Sequence, residues 1–328
     1  MSLHPSVAAV RVPVRTLLGG LPPGSVAAVA CSGGADSLAL ASAAVFEGHK
    51  LGLRVVGVTV DHGLQPGSAD QADRVVAQLA ALGVDETLTA RVAVDGGSGL
   101  GPEAAAREAR YAVLEQVAAH LGAAVVLLGH TLDDQAETVL LGLTRGSGAR
   151  SLRGMRPAFG PFARPLLGVR RDDTVTACQV EGLEAWDDPH NHDPGFTRVR
   201  VRTRVLPVLE DELGPGVATA LARTADQLRD DTALLERLAD DLAGEARRAD
   251  GSGAGLDVAV LADAPPALRH RVLHGAVVAA GSPPSELTRD HVLAVDGLVT
   301  AWRGQKWIDL PGPLRAMRRD GLLVFARP

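Results

Sequence analysis

The chain has 328 residues, 46% hydrophobic and 22% charged, with a formal net charge of −6. That length allows about two domains with full apolar cores, and the composition is that of an ordinary soluble globular protein. Its two cysteines, Cys31 and Cys178, are too far apart for a CxxC pair, which excludes a zinc-ribbon spacing and a disulfide framework and fits a reducing compartment.

No run of about 18 apolar residues occurs. The N-terminal stretch carries Arg11 and Arg15 within its apolar segment, unlike a signal peptide. A cytoplasmic protein without membrane contact is therefore expected. Charge is unevenly distributed. Seven arginines (145, 150, 153, 156, 164, 170 and 171) fall between Arg145 and Arg171 with no acidic residue among them. Seven acidic residues and no Lys or Arg follow between Asp172 and Asp193, and then come Arg198, Arg200, Arg202 and Arg204. Such blocks set local fields that differ from the chain average.

In chain order, Val26–Ala30 is a short apolar strand, followed by CSGGADS and a helical LALASAAVFEG. Leu53–Val60 is a β-branched strand, Ser68–Leu82 a helix and Glu86–Val94 a third strand. Asp95–Gly101 is a glycine-rich loop. Pro102–Leu121 is a helix with proline near its start, Ala123–Gly129 a buried strand and Leu132–Leu143 a helix. Strands alternating with helices in this way predict a doubly wound α/β domain with a parallel sheet covered on both faces. After Gly146 comes a long Gly-, Pro- and Arg-rich loop, then strand and helix around Leu166–Glu181. From Pro215 to Val299 the pattern is mostly helical, and WIDLP and LLVFA flanking RRDG predict a terminal hairpin. The domains are placed at 1–212 and 213–328, the second smaller and mostly helical.

Four segments carry chemistry. In VAAVACSGGADS (26–37) a strand leads through a glycine turn into a helix N-terminus, a site suited to anions. No GK[ST] follows, so this is not a Walker A loop. The turn suits a pyrophosphate leaving group, with Asp36 on Mg²⁺; a simple helix cap is the alternative. Asp61 and His62 end the second strand, where open α/β sheets bind ligands. Glu103, Arg107 and Arg110 share one helical face, either as an ion-paired solvated surface or as cations facing phosphate. In LLGHTLDDQAETVLLGLTRGSGARSLRGM (127–155) a strand delivers His130, and a helix opens with Asp133 and Asp134, with Glu137 one turn on. Carboxylates in a first turn often serve the helix dipole, but three carboxylates and a histidine beside a phosphate loop exceed what capping needs.

SGGADS resembles the SGGxDS loop of the N-type ATP pyrophosphatases, the PP-loop family. The 127–155 run closely resembles the signature of tRNA(Ile)-lysidine synthases, departing from it at Thr131, where a second histidine is common. Asp188, Pro189, Asn191, Asp193, Phe196, Arg198 and Arg200 fit the same family's trailing pattern, and Val199 stands where Asn is frequent. The resemblance runs continuously over 26–210 and is weaker over 215–328.

The resemblance implies ATP-dependent joining of free L-lysine to C2 of the wobble cytidine of tRNA(Ile) with a CAU anticodon. The reaction runs through an adenylated base and releases AMP and pyrophosphate. On this reading Ser32, Gly33, Gly34, Ala35, Asp36, Ser37, Asp61 and His62 hold ATP, and Asp36 also holds Mg²⁺. Asp36, Arg107, Arg110, His130 and Asp134 carry catalysis. Asp133, Asp134, Glu137, Arg145, Arg150, Arg153 and Arg198 bind substrate, Asp134 and Glu137 facing lysine and the arginine run facing the anticodon loop. Only about one lysine amine in 2,500 is neutral at pH 7, so the site must desolvate it or supply a base, for which His130 and Asp134 are both candidates. The 213–328 domain would grip another part of the tRNA. It would do so through local arginines or shape, because from Val205 to Asp250 eleven acidic residues face five arginines. A homodimer is compatible with this reading. A related PP-loop tRNA-modifying enzyme, such as a 2-thiocytidine enzyme, needs cysteine pairs that are missing here. A non-catalytic nucleotide-binding module has no use for DDQAET.

Overall fold

The computed structural model describes residues 3–61, 67–91, 102–144, 146, 148–250 and 253–328. They form two compact units, 1–146 with 151–226, and 147–150 with 227–328.

The first unit opens with α1 (Pro5–Leu18), β1 (Val26–Ala30), α2 (Ala35–Lys50), β2 (Arg54–Asp61), α3 (Ser68–Leu82) and β3 (Glu86–Arg91). It continues with α4 (Pro102–Leu121), β4 (Ala123–Leu128) and α5 (Leu132–Thr144). Then come the single turn α6 (Ala149–Leu152), the two-residue strands β5 (Ala158–Phe159) and β6 (Phe162–Ala163), and α7 (Arg171–Glu181). A short α8 (Thr197–Arg200) runs through a π-helical turn at Val201–Val205 into α9 (Leu206–Glu212), and the long α10 (Val217–Ala246) leads into the second unit. α1 adds to the sequence reading. Its buried residues Val7, Val10, Val14 and Leu18 keep helical spacing, and Pro5 opens it.

The sheet order is β3-β2-β1-β4-β6-β5, parallel throughout except for the β5–β6 pair. Ala27, Val29, Val55, Val125 and Leu127 pack with α1, α2, α3 and α7 on one face. Ala28, Val56, Val58, Val126 and Leu128 meet Leu114 and Ala118 of α4 and Phe162 on the other. Burial on both faces explains why these strands read as unbroken apolar runs. The chain order reverses at β1 and β4, and the crevice at their carboxyl ends is where such sheets bind ligands. Ala30 pairs level with Leu128, so residues 31–37 and 129–137 emerge side by side. A Cβ at Gly129 would stand 3.1 Å from the backbone of Asp36 and Ser37. The absence of a side chain there lets the end of β4 lie against the start of α2.

The second unit holds the expected hairpin, β10 (Leu314–Arg319) and β11 (Leu322–Ala326). Its turn residues Asp320 and Gly321 both have positive φ, the two-residue primed form that matches strand twist. The hairpin sits in a five-stranded antiparallel sheet with β7 (Arg247–Asp250), β8 (Gly253–Asp257) and β9 (Ile308–Leu310), in the order β7-β8-β11-β10-β9. α11 (Val258–Asp263), α12 (Pro266–Ala279) and α13 (Arg289–Thr300) pack on it through Leu261, Leu273, Val277, Val295 and Leu298, against Ala316 and Leu323. Among the described residues no helix is long and apolar enough to cross a membrane.

Candidate active site

The first loop at the crevice is 32–37. Gly33 has φ of 87°, and a Cβ there would come within 2.7 Å of Val75 Cγ2, so the position requires glycine. The Ser37 hydroxyl donates to the Gly34 carbonyl at 2.9 Å and accepts from the Ser32 amide at 3.2 Å. The Trp186 amide donates to the Gly33 carbonyl at 2.8 Å. This braced turn delivers the first amides of α2, which have no intrahelical acceptors, beside the crevice. Asp36 follows in the first turn of α2 and accepts from the Thr174 hydroxyl and from Arg171 Nε, the latter at 3.2 Å. Burial raises its pKa, opposed by Arg171 and Thr174.

The second loop carries His130 and the start of α5. Asp134 uses one oxygen to accept from the backbone N–H and hydroxyl of Thr131, at 2.9 and 3.0 Å, which ties down the helix start as in a capping box. Its other oxygen accepts from Arg171 Nη2 at 2.9 Å and Arg202 Nη2 at 3.2 Å. Desolvation pushes its pKa up, but the Arg171 and Arg202 guanidiniums and the Thr131 amide hold it well below the ordinary carboxylate range. Glu137 is fully buried and meets three arginines: Arg202 at 2.6 Å, Arg198 at 3.4 Å and Arg171 at 3.5 Å. Asp133 accepts the Arg171 amide at 2.8 Å and pairs with Arg170 at 3.2 Å. Four carboxylates and four arginines thus interlock where α2, α5, α7 and α8 converge.

The structure therefore brings together Asp36, Asp133, Asp134, Glu137 and Arg198, while His130, two residues past the end of β4, meets Arg164 Nε through its Nδ1 at 3.2 Å. Asp61, buried at the end of β2, is paired instead with Arg91 at 3.3 Å. Arg107 and Arg110 are exposed on α4, Arg107 reaching the Tyr111 hydroxyl at 3.4 Å. Arg150 lies in the second unit, 3.8 Å from Glu236, and Arg153 is half-buried in the first. His62 and Arg145 lie outside the described residues.

Sequence reasoning missed Arg171, Arg202, Thr174 and Arg164. Arg164, Arg170 and Arg171 belong to the run expected to face RNA as one basic surface, and the structure corrects this expectation. Arg164 is buried, and the other two are turned onto carboxylates. Their direction depends on how α7 docks, which no sequence spacing reveals.

Comparison with known proteins gives the same frame. The PP-loop domain family matches residues 14–209, and the TilS substrate binding domain family matches 256–323. The tRNA(Ile)-lysidine synthase of Thermobifida fusca is 55% identical over 323 residues, 98% of each chain. That of Streptomyces coelicolor is 49% identical over 99% of each. The chain belongs to the tRNA(Ile)-lysidine synthase family. A solved structure, the U34-tRNA thiolase NcsA from Methanococcus maripaludis with its 4Fe–4S cluster, superposes with a TM-score of 0.58 at 19% identity. It covers 68% of this chain and 79% of its own, a likeness of fold. As a member of this family the chain is a ligase with an ATP-binding PP-loop domain. Thr131, where lysidine synthases commonly carry a second histidine, is fully buried and serves the start of α5.

Proposed function

We propose that the protein adenylates the wobble cytidine of tRNA(Ile) bearing a CAU anticodon and joins free L-lysine to its C2, releasing pyrophosphate and AMP. The observation that carries this reading is a single guanidinium. Arg171 joins Asp36, beside the phosphate loop, to Asp134 and Glu137, so the proposed ATP and lysine half-sites touch. Attack by the amine on an adenylated base requires that adjacency.

In this reading the glycine turn and the first amides of α2 receive the phosphates. Asp36 is one carboxylate, and among the described residues no group of three or more His, Cys, Asp or Glu side chains is arranged to hold a metal. That fits Mg²⁺ arriving on ATP, bound by one or two carboxylates plus phosphate oxygens, better than a protein-built cage. When bound, Mg²⁺ neutralises charge on the leaving pyrophosphate. The interlocked arginines and carboxylates suit lysine, whose α-amino and carboxylate groups need partners of both signs. Arg107 and Arg110 on α4 supply positive charge for phosphate or RNA. The anticodon loop is met by Arg145, Arg150 and Arg153, and 213–328 grips a second part of the tRNA. The protein acts in the cytoplasm.

The test supplies purified protein with unmodified CAU-anticodon tRNA(Ile), ATP, Mg²⁺ and labelled lysine. Label enters the tRNA, nucleoside mass analysis finds lysidine, and pyrophosphate release depends on the tRNA. Pyrophosphate release without lysine incorporation would assign the chain to a different PP-loop modification.

A further inference from the structure

Arg164 is 6% exposed, yet among the described residues none of its partners is a carboxylate. Its Nη1 donates to the Arg156 carbonyl at 2.7 Å, its Nη2 to the Tyr111 hydroxyl at 2.9 Å and its Nε to His130 Nδ1 at 3.2 Å. The Phe159 ring lies against its guanidinium, 4.4 Å from the centroid. Taking a guanidinium out of water is costly, and in folded proteins it is normally offset by a paired charge. Here the offset comes from neutral acceptors, one of them a histidine at the mouth of the crevice.

A guanidinium has five donors and no acceptor. The ring nitrogen that it meets must therefore present a lone pair, and a neutral imidazole then carries its proton on the other nitrogen. We infer that Arg164 is a positioning residue that fixes His130 as a neutral Nε2–H donor, so that His130 offers a hydrogen bond to negative charge in the crevice and does not take the proton of the attacking amine.

The charges around His130 agree. Asp134 on α5 favours a proton on the ring, whereas Arg164, Arg107 on α4 and Arg198 on α8 oppose it. Burial is the largest influence, and the net effect holds the imidazolium down to about 3. A base that weak is a poor acceptor for an ammonium with a pKa near 10.4. As a donor it suits a phosphate or adenylate oxygen, the kind of fixed dipole that stabilises developing charge. Tyr111 completes the arrangement. Its oxygen accepts from Arg164 and, at 3.4 Å, from Arg107, which links α4 to the same histidine.

The inference rests on the adenylation reading for the charge that His130 meets, but the tautomer is a property of the resting protein. The test is long-range ¹H–¹⁵N NMR of the full chain with labelled histidine, His130→Gln identifying the resonance among ten. The expected result is an Nε2–H imidazole that does not titrate between pH 8 and 5. In Arg164→Met, both tautomers appear and the midpoint moves up toward 6.5. There kcat falls at least tenfold while KM for ATP changes less than twofold. An Nδ1–H tautomer, or a midpoint near 6–7, in the unsubstituted protein overturns the inference, and this reading does not depend on whether the variant folds. Activity lost through KM for ATP with His130 unchanged overturns it too, making Arg164 a phosphate contact. Absence of lysidine formation by the unsubstituted protein would remove the proposed function and leave the tautomer result standing.

Discussion

Arg171 opens α7 and reaches Asp36 in the first turn of α2, Nε to Oδ2 at 3.2 Å. A cation at a helix N-terminus opposes the helix dipole, so this arginine is held by the carboxylates it meets, and they raise its pKa against burial. Arg171→Met should leave Asp36, Asp134 and Glu137 short of a counter-ion. A loss on the order of 2–3 kcal/mol is expected for a pair that keeps some solvent contact, together with loss of adenylation. Arg171→Lys should recover part of the stability and little of the activity, because one ammonium cannot span three carboxylates. Urea midpoints and pyrophosphate release measured on both variants check this; equal recovery of both by lysine would refute it.

Asp36→Ala should lower tRNA-dependent pyrophosphate release by about a hundredfold or more, the scale of removing one charge-stabilising group. The fold should survive, because Gly33, Gly34 and Ser37 brace the turn without Asp36. Normal release by a folded Asp36→Ala protein would end the assignment of Asp36 to Mg²⁺ and ATP.

If Asp134 and Glu137 recognise lysine, Asp134→Asn and Glu137→Gln should raise KM for lysine about tenfold or more and leave KM for ATP within about twofold. Glu137 anchors three arginines, so its variant should also lose stability. Equal rises in both KM values would give these carboxylates a purely structural role.

The crevice was legible because its parts are local. A strand, a glycine turn and a helix start are adjacent in sequence, and so are His130, Asp133, Asp134 and Glu137. The counter-ions were not. Arg171 and Arg202 come from distant segments, and in sequence they look like any arginine in a basic run. Likewise α1 carried a helical signal at Val7, Val10, Val14 and Leu18, masked by its two prolines. RRAD and GAGLD, which form β7 and β8, lack the β-branched and aromatic residues that mark strands. β8 is placed by long-range pairing with β11, Leu256 opposite Leu323 and Asp257 opposite Leu322, and β7 pairs with β8 in turn.

His130 also bears on acid stability. Its folded-state pKa of about 3 lies below the ordinary 6.5, so the folded protein resists a proton that the unfolded chain accepts. The sign follows: this contribution is complete above pH 6.5 and is lost as pH falls toward 3. The loss is about 1.4 kcal/mol per pH unit, or about 2 kcal/mol by pH 5. Urea unfolding at pH 7.5 and pH 5 should show the unsubstituted protein losing more stability than His130→Gln does. Parallel losses would mean that His130 is not held neutral by the fold.

The arginines proposed to meet RNA fall in both units. Arg150, about half exposed beside Glu236, belongs to the second, and Arg153 to the first. Reversal of each to Glu should weaken tRNA binding and reduce its salt slope by about one for every phosphate no longer neutralised. A CAU loop alone does not separate isoleucine tRNA from methionine tRNA, so the second unit is expected to carry that choice. Removing it calls for a cut after Asp226, not at the 212–213 boundary that the sequence suggested. Ala218 and Ala222 of α10 share a core with Leu132, Ala136, Val201 and Leu206, and Glu210 accepts the amides of Gly216, Val217 and Ala218 at 2.6–3.1 Å. The 1–226 fragment should bind ATP like the full chain but modify both tRNAs indiscriminately or neither. If it still selects isoleucine tRNA as well as the full chain does, identity is read within the first unit, and the second-contact proposal fails.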